Sequence, residues 1–231
     1  NAASSAESET GAVKYHLGAR TERTLADGRT VGVQLVPNPS HLEVVNPVVT
    51  GVARARQRVT LGERLTGEFD STTVTAVLVH GDAAFPGEGI VAESLNLSRL
   101  RGYTVGGSLH LIVNNQVGFT TDPTDARSTH YASDLAKGFE IPIVHVNADD
   151  LEACIAAVRL GVAYRTKFKK DFLIDLVGYR RHGHNEGDEP TFTQPTLYAA
   201  IKAHPTPRQV WGERLVREGI VTTEDVQAAE R

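Results

Sequence analysis

The chain has 231 residues, 40% of them hydrophobic and 23% charged, with a formal net charge of −4. That composition suits one large globular α/β domain, and the slight acidic balance gives no basis for binding nucleic acid or an anionic membrane. No apolar run approaches the roughly 18–20 residues that span a bilayer, and the lone cysteine, Cys154, excludes an internal disulfide framework or a cysteine-rich zinc site.

The opening NAASSAESETGAV lacks the basic patch and apolar stretch of a secretory signal. Residues 1–12, rich in Ala, Ser and Glu, are expected to form a flexible leader. Methionine is absent, so the chain is expected to be part of a longer polypeptide. TVGVQL (30–35) predicts a short strand, and PNPSHLEVVNPV (37–48), with its three prolines, a shaped loop with a helix starting after Pro47. Residues 48–65 predict a basic helical stretch carrying Arg54, Arg56, Arg58 and Arg64.

A repeating pattern follows. TAVLVH (75–80), LHLIVNN (109–115), IPIVHVN (141–147) and DFLIDLVGY (171–179) read as buried strands, and IVAESLNLSRL (90–100) as a helix between the first two. The clearest helix is 149–168, with Asp149 capping its first turn and Glu152 in a capping-box relation. Leu151, Ile155, Val158 and Val162 are expected to form its buried stripe, with Cys154 beside it as small core filler. Lys167, Lys169 and Lys170 suit its negative end. Helices are expected at 195–203, 207–218 and from about Thr222.

The order predicts a three-layer αβα fold around a doubly wound, mainly parallel sheet. Residues 13–192 are expected to form this domain and 193–231 a C-terminal helical extension. In such folds ligands sit at the carboxyl ends of the strands. His80-Gly81-Asp82-Ala83-Ala84 ends the first strand, and Asn114-Asn115-Gln116-Val117-Gly118 ends the second. Asp82 and Asn115 are 33 positions apart, about one crossover, so adjacent parallel strands bring the two loops together. A magnesium ion needs hard oxygen ligands, a few from protein and the rest from phosphate and water. The Asp82 carboxylate, the Asn115 amide oxygen and the Val117 carbonyl supply three. Gly81 and Ala83 are small enough for backbone N–H groups to approach a phosphate. Read from the residues alone, ordinary turn chemistry remains open beside metal-diphosphate binding.

The GD…NN pair resembles the fingerprint of thiamine diphosphate enzymes, with Ala83 where the usual third motif residue is Gly. HGDAAFPGEG followed by ESLNLSRLRGYTVGGSLHLIVNNQVGFTT is similar to the 2-oxoglutarate dehydrogenase branch, where Ala is normal there. VKYHLGAR (13–20), NPSHLEVVNPVV (38–49) and YRRHGHNEGDEP (179–190) match that branch in the same order, from about Gly11 to the end. The resemblance implies the thiamine diphosphate-binding fold, diphosphate-type domain. It implies that Asp82, Asn115 and the Val117 carbonyl hold Mg2+ and the diphosphate, and that His41 faces the substrate. It also implies oxidative decarboxylation of 2-oxoglutarate, with the succinyl group passing to a lipoyl-bearing succinyltransferase in the tricarboxylic acid cycle. A homodimeric parent follows from the same likeness, in bacterial cytoplasm or a mitochondrial matrix.

In RRHGHNEGD (180–188) His184 is the first choice for phosphate contact and His182 the second, with Arg180 and Arg181 as neutralising charges. Apart from the family, His41 reads first as a loop histidine bonding local backbone, and 180–188 equally as a solvated basic loop. The family also uses a glutamate against the aminopyrimidine ring and an upstream HRGR-type histidine. Neither is found here, so the chain alone is expected to be catalytically incomplete. Ala12 replaces a usual Asp, Leu17 and Leu97 replace frequent methionines, and 20–34 fits the family poorly. Related readings are an enzyme for pyruvate or branched-chain oxo acids and an inactive cofactor-binding fragment. A nicotinamide oxidoreductase lacks support, since no strand is followed by GxGxxG.

Overall fold

A computed structural model describes residues 16–61 and 64–229. The expected leader at 1–12 and the first part of VKYHLGAR lie outside the described residues. β1 (Ala19–Thr24) pairs antiparallel with β2 (Thr30–Leu35), in register from Ala19↔Leu35 to Thr24↔Thr30. The strand at 30–35 is the predicted one. Its partner, ARTERT, is exposed along its whole length and has no apolar alternation to announce it.

The basic helix is shorter than expected. α1 runs Val45–Arg56, and the remainder of 48–65 enters an antiparallel pair, β3 (Arg58–Leu61) and β4 (Arg64–Phe69). Pro47 sits in the first turn of α1, where its missing N–H has no intrahelical partner to lose. Gln57 is the C-cap residue, and its buried side chain is held by Nε2 donating to the Val74 carbonyl at 2.8 Å and the Val105 carbonyl at 2.9 Å. Arg54 does not form a solvated face. Its Nη1 donates to the Thr104 carbonyl at 2.6 Å, and its guanidinium lies over the Phe69 ring at 3.9 Å.

The next elements are β5 (Val77–Gly81), α2 (Ala84–Gly87), α3 (Gly89–Leu97), β6 (Leu109–Asn114), α4 (Pro123–Ala126), a 3₁₀ helix (Ala132–Phe139), β7 (Ile143–Asn147), α5 (Leu151–Phe168) and β8 (Phe172–Val177). The four strands form one parallel sheet in the order β5-β6-β8-β7. One face packs Ile112 and Leu173 against Phe85, Val91, Leu95, Ala132 and Ala136 from α2, α3 and the 3₁₀ helix. The other packs Leu109, Leu111, Phe172, Ile174 and Val146 against Ala157, Cys154 and Tyr164 of α5. Helices on both faces of a parallel sheet make the αβα layering expected of buried β-branched runs. α5 leaves the β5 end of its face uncovered, so Val77 and Val79 are exposed.

α5 has the expected length but presents a different face to the sheet. Ile155, Val158 and Val162 are 46–54% exposed, whereas Ala157, Gly161 and Arg165 are buried. The reason is close approach: a Cβ on Gly161 would stand 2.9 Å from Phe172 Cδ1, so small residues line the contact and Phe172 fills it. The cap is Asp150, whose Oδ1 accepts the Ala153 N–H at 3.0 Å. Asp149 instead meets His204 Nε2 at 2.8 Å, and Glu152 meets Arg214 Nη2 at 2.6 Å. Cys154 packs beside the core as read, its thiol pushed up by burial and then by Asp150 and Asp149.

A 3₁₀ turn (Pro190–Phe192) leads to α6 (Pro195–Ala203), α7 (Pro207–Arg217) and α8 (Thr223–Ala228), matching the expected positions. Thr206 with Gln209 and Thr222 with Asp225 form capping boxes that begin α7 and α8. Among the described residues no helix is long and apolar enough to cross a membrane.

Candidate metal-diphosphate site

The parallel ladder aligns Gly81 with Val113 and Asn114 with Val177, so the loops after β5 and β6 leave the sheet side by side. Asp82 is 3% exposed, and its Oδ1 accepts the Asn115 backbone N–H at 3.2 Å. The Asn115 amide oxygen accepts the Val117 N–H at 3.2 Å and keeps a second lone pair. The Val117 carbonyl receives no hydrogen bond among the described residues. Gly81 and Ala83 flank Asp82, and a Cβ on Gly118 would meet the Ala83 side chain at 2.8 Å. The two loops are therefore in van der Waals contact, a cradle that larger residues would fill.

Burial pushes the Asp82 carboxyl above the ordinary carboxylate range, against the pull of the Asn115 N–H and of Arg127. Arg127 was not read from the sequence. It follows α4, its side chain is 9% exposed, and its Nη1 lies 3.9 Å from Asp82 Oδ2. Its Nε and Nη1 are enclosed without a hydrogen-bond partner. A buried carboxylate, a carbonyl, an amide oxygen and unpaired cationic donors fit a hard cation with an attached anion.

The adjacent asparagines divide their work. Asn114 points into the fold, its Nδ2 donating to Asp175 Oδ1 at 3.1 Å and its Oδ1 accepting the Gln116 N–H at 3.1 Å. Gln116 and Phe119 adopt left-handed backbone with φ of 63° and 57°, a cost of order 1 kcal/mol or more each that tertiary contacts must offset. Gln116 Nε2 supplies one, donating to the Gly178 carbonyl at 2.8 Å past the end of β8. A cavity of about 530 Å3 opens along the rest of this edge, lined by His145, Asn147, Gly178 and His204, and reaches the loops through Gln116.

His184 meets the second loop through Phe119, with ring centroids 4.9 Å apart. Its Nδ1 lies 3.1 Å from Arg180 Nη1, which donates, and its backbone N–H is held by Asp188 at 2.8 Å. His182 is exposed, and Arg181 turns away to the His204 carbonyl at 2.8 Å. His41 is exposed in the turn before α1. The structure joins its loop, not its ring, to the Asp82 cluster. Glu43, buried with φ 66°, accepts from Asn46 Nδ2 at 2.7 Å and pairs with His80 Nδ1 at 2.6 Å, two residues before Asp82.

From His80 a buried line continues to His110 Nδ1 at 3.0 Å, and His110 Nε2 stands 3.7 Å from Asp171 Oδ2, beyond hydrogen-bond length. Burial pushes the Asp171 carboxyl up. The adjacent His110 ring and the Ser108 N–H at 2.6 Å outweigh it and hold the group below its ordinary value. A depressed acid stabilises the fold fully above its unfolded value, 3.8, and loses that contribution as pH falls through the lower folded value. Asp171→Asn should therefore lower the melting temperature at pH 7, with the gap to the parent narrowing as pH drops below 3.8. Thermal scans from pH 7 to 3 check this, and a constant gap would contradict it.

Comparison with known proteins gives a family. The model of the dehydrogenase E1 component family matches residues 4–231. The chain is 59% identical over 222 residues to the 2-oxoglutarate dehydrogenase E1 component of Bacillus subtilis (strain 168), covering 96% of the chain and 23% of that protein. The corresponding protein of Geobacillus sp. (strain WCH70) is also 59% identical over 222 residues, with the same coverage. That of Geobacillus kaustophilus (strain HTA426) is 57% identical over 222 residues, again with 96% and 23% covered. The chain thus spans about a quarter of the length of the curated relatives it matches.

Proposed function

Because the chain belongs to the dehydrogenase E1 component family, we propose that it carries the magnesium-diphosphate site of a thiamine diphosphate-dependent enzyme acting on 2-oxoglutarate. The observation that carries the reading is the contact of Asp82 Oδ1 with the Asn115 N–H at 3.2 Å across neighbouring parallel strands. In this reading Asp82, the Asn115 amide oxygen and the Val117 carbonyl ligate Mg2+. The backbone of Gly81 and Ala83 approaches the diphosphate, and His184 contacts it from the 180–188 loop.

The chemistry supplied by bound thiamine diphosphate is an electron sink for loss of carbon dioxide. Mg2+ neutralises and anchors the diphosphate. His41 donates a hydrogen bond to the carboxylate or oxo oxygen of the substrate, stabilising charge that develops there. Glu43 and His80 hold the His41 turn at a fixed distance from the diphosphate loop, an arrangement that favours productive orientation. The partners in this reading are 2-oxoglutarate, a lipoyl-bearing succinyltransferase that receives the succinyl group, and a second copy in a homodimer. Bacterial cytoplasm, one of the two compartments expected, fits the bacterial relatives.

Calorimetric titration tests the site. Thiamine diphosphate should bind with measurable heat when Mg2+ is present and at least about tenfold more weakly after chelation. Binding indifferent to Mg2+ would remove the assignment. Carbon dioxide release from the intact, cofactor-loaded parent enzyme tests the substrate, since the chain alone is expected to be catalytically incomplete, and turnover of pyruvate ahead of 2-oxoglutarate would point to the related oxo acid enzymes.

A further inference from the structure

Among the described side chains around Asp82, Arg127 has enclosed donors that lack an acceptor. Its side chain is 9% exposed, and both Nε and Nη1 are shielded with no acceptor. The nearest anion is Asp82, whose Oδ2 lies 3.9 Å from Nη1, too far for a hydrogen bond. Enclosed cationic donors left unpaired are costly, and native folds retain them where a partner of opposite charge completes the set.

Asp82 does not complete the set: its Oδ2 stands 3.9 Å away, and ligation of a cation spends part of its negative charge on the metal. Its other oxygen already accepts from Asn115. A diphosphate carries more negative charge than Mg2+ and one carboxylate leave to be balanced, so the site remains anionic without another cation. A planar guanidinium can meet two phosphate oxygens at once.

We propose that Arg127 is a diphosphate-binding residue, donating to phosphate oxygens beside the Asp82-bound cation. The inference rests on the reading of Asp82 and Asn115 as a metal-diphosphate site and adds to it the chain's own counter-charge. The segment that carries Arg127 is anchored at its start, where Gly118 lies against Ala83 and the Thr120 carbonyl accepts from Gln194 Nε2 at 2.7 Å.

Equilibrium binding at saturating Mg2+ tests it, with thiamine diphosphate and inorganic diphosphate as separate probes. Arg127→Met should raise the Kd for both by about 10–100-fold, because the lost contact is to the group they share. Arg127→Lys, which keeps the buried charge and the fold, should recover only part of the affinity, since an ammonium cannot form the two-pronged contact. Either variant binding inorganic diphosphate like the parent would overturn the proposal, as would a loss confined to thiamine diphosphate. Asp82→Asn separates the two levels of the reading. If it loses Mg2+-dependent binding while Arg127→Met does not, the site stands and the arginine's role falls. If the parent binds neither probe, both fall.

Discussion

Asp82→Asn should abolish most Mg2+-dependent binding of thiamine diphosphate, by at least about 100-fold, while leaving the fold intact. The magnitude follows from the effect of altering groups that only support a metal ligand, which costs roughly 10–100-fold. Removing the sole carboxylate ligand of the proposed set should exceed that. The substitution preserves shape, and its amide oxygen can still accept the Asn115 N–H now 3.2 Å from Oδ1. What disappears is the charge. Burial already penalises that charge and pushes the carboxyl up, so the variant should melt no lower than the parent in the absence of Mg2+. Added Mg2+ and cofactor should raise the melting temperature of the parent only, as ligand linkage requires. Equal stabilisation of both proteins would show that the cation, if bound, is held elsewhere.

The parts legible in the sequence are those whose cause is local. Four β-branched runs bounded by turn residues become the parallel strands, and the GD and NN tips meet because consecutive β5 and β6 are neighbours in the sheet. The C-terminal helices were readable from Pro at the first turn and Thr caps. β1, β3 and β4 were not, since exposed or arginine-rich strands carry little apolar alternation. For α5 the period was right and the phase wrong. Hydrophobicity favoured Ile155, Val158 and Val162, but steric fit against Phe172 selected Ala157 and Gly161. Packing geometry, not apolarity, chose the face.

Site residues divide in the same way. Asp82 and Asn115 lie at strand ends, where the topology rule directs attention. Arg127 lies 45 positions beyond Asp82 in an irregular stretch, and nothing local distinguishes DARST from a solvated turn. The Glu43–His80 pair spans 37 positions and depends on the α1 turn meeting the end of β5. SHLE and HGD carried these residues in plain view. The signal was two motifs each placing an ionisable residue two positions from a proposed functional one, Glu43 from His41 and His80 from Asp82.

The largest structural effect is expected at Arg165, in the last turns of α5. It is 4% exposed, and burial pulls its guanidinium below the usual range. Its Nε donates to the Gly107 carbonyl at 2.9 Å, and Nη2 donates to the Ser71 and Val74 carbonyls at 2.8 and 3.0 Å. These carbonyls belong to the segments that enter β5 and β6, and Gln57 Nε2 also donates to the Val74 carbonyl, at 2.8 Å. Gly107 has a φ of +86°, and a Cβ there would stand 2.3 Å from the Lys170 carbonyl oxygen, so both backbone and space call for glycine. Arg165→Met keeps much of the aliphatic volume but leaves buried carbonyls short of donors. A loss of about 3–5 kcal/mol is expected, which lowers the melting temperature by roughly 10 °C in a chain of this size. Gln57→Leu should show coupling with it in a double-mutant cycle, since the two side chains converge on the Val74 and Val105 carbonyls. The strand ladder itself sets the register of Gly81 against Val113. Folded Arg165→Met should therefore bind Mg2+ and thiamine diphosphate within a few-fold of the parent by calorimetry at low temperature. A melting temperature within about 2 °C of the parent would mean that water replaces the guanidinium at these carbonyls.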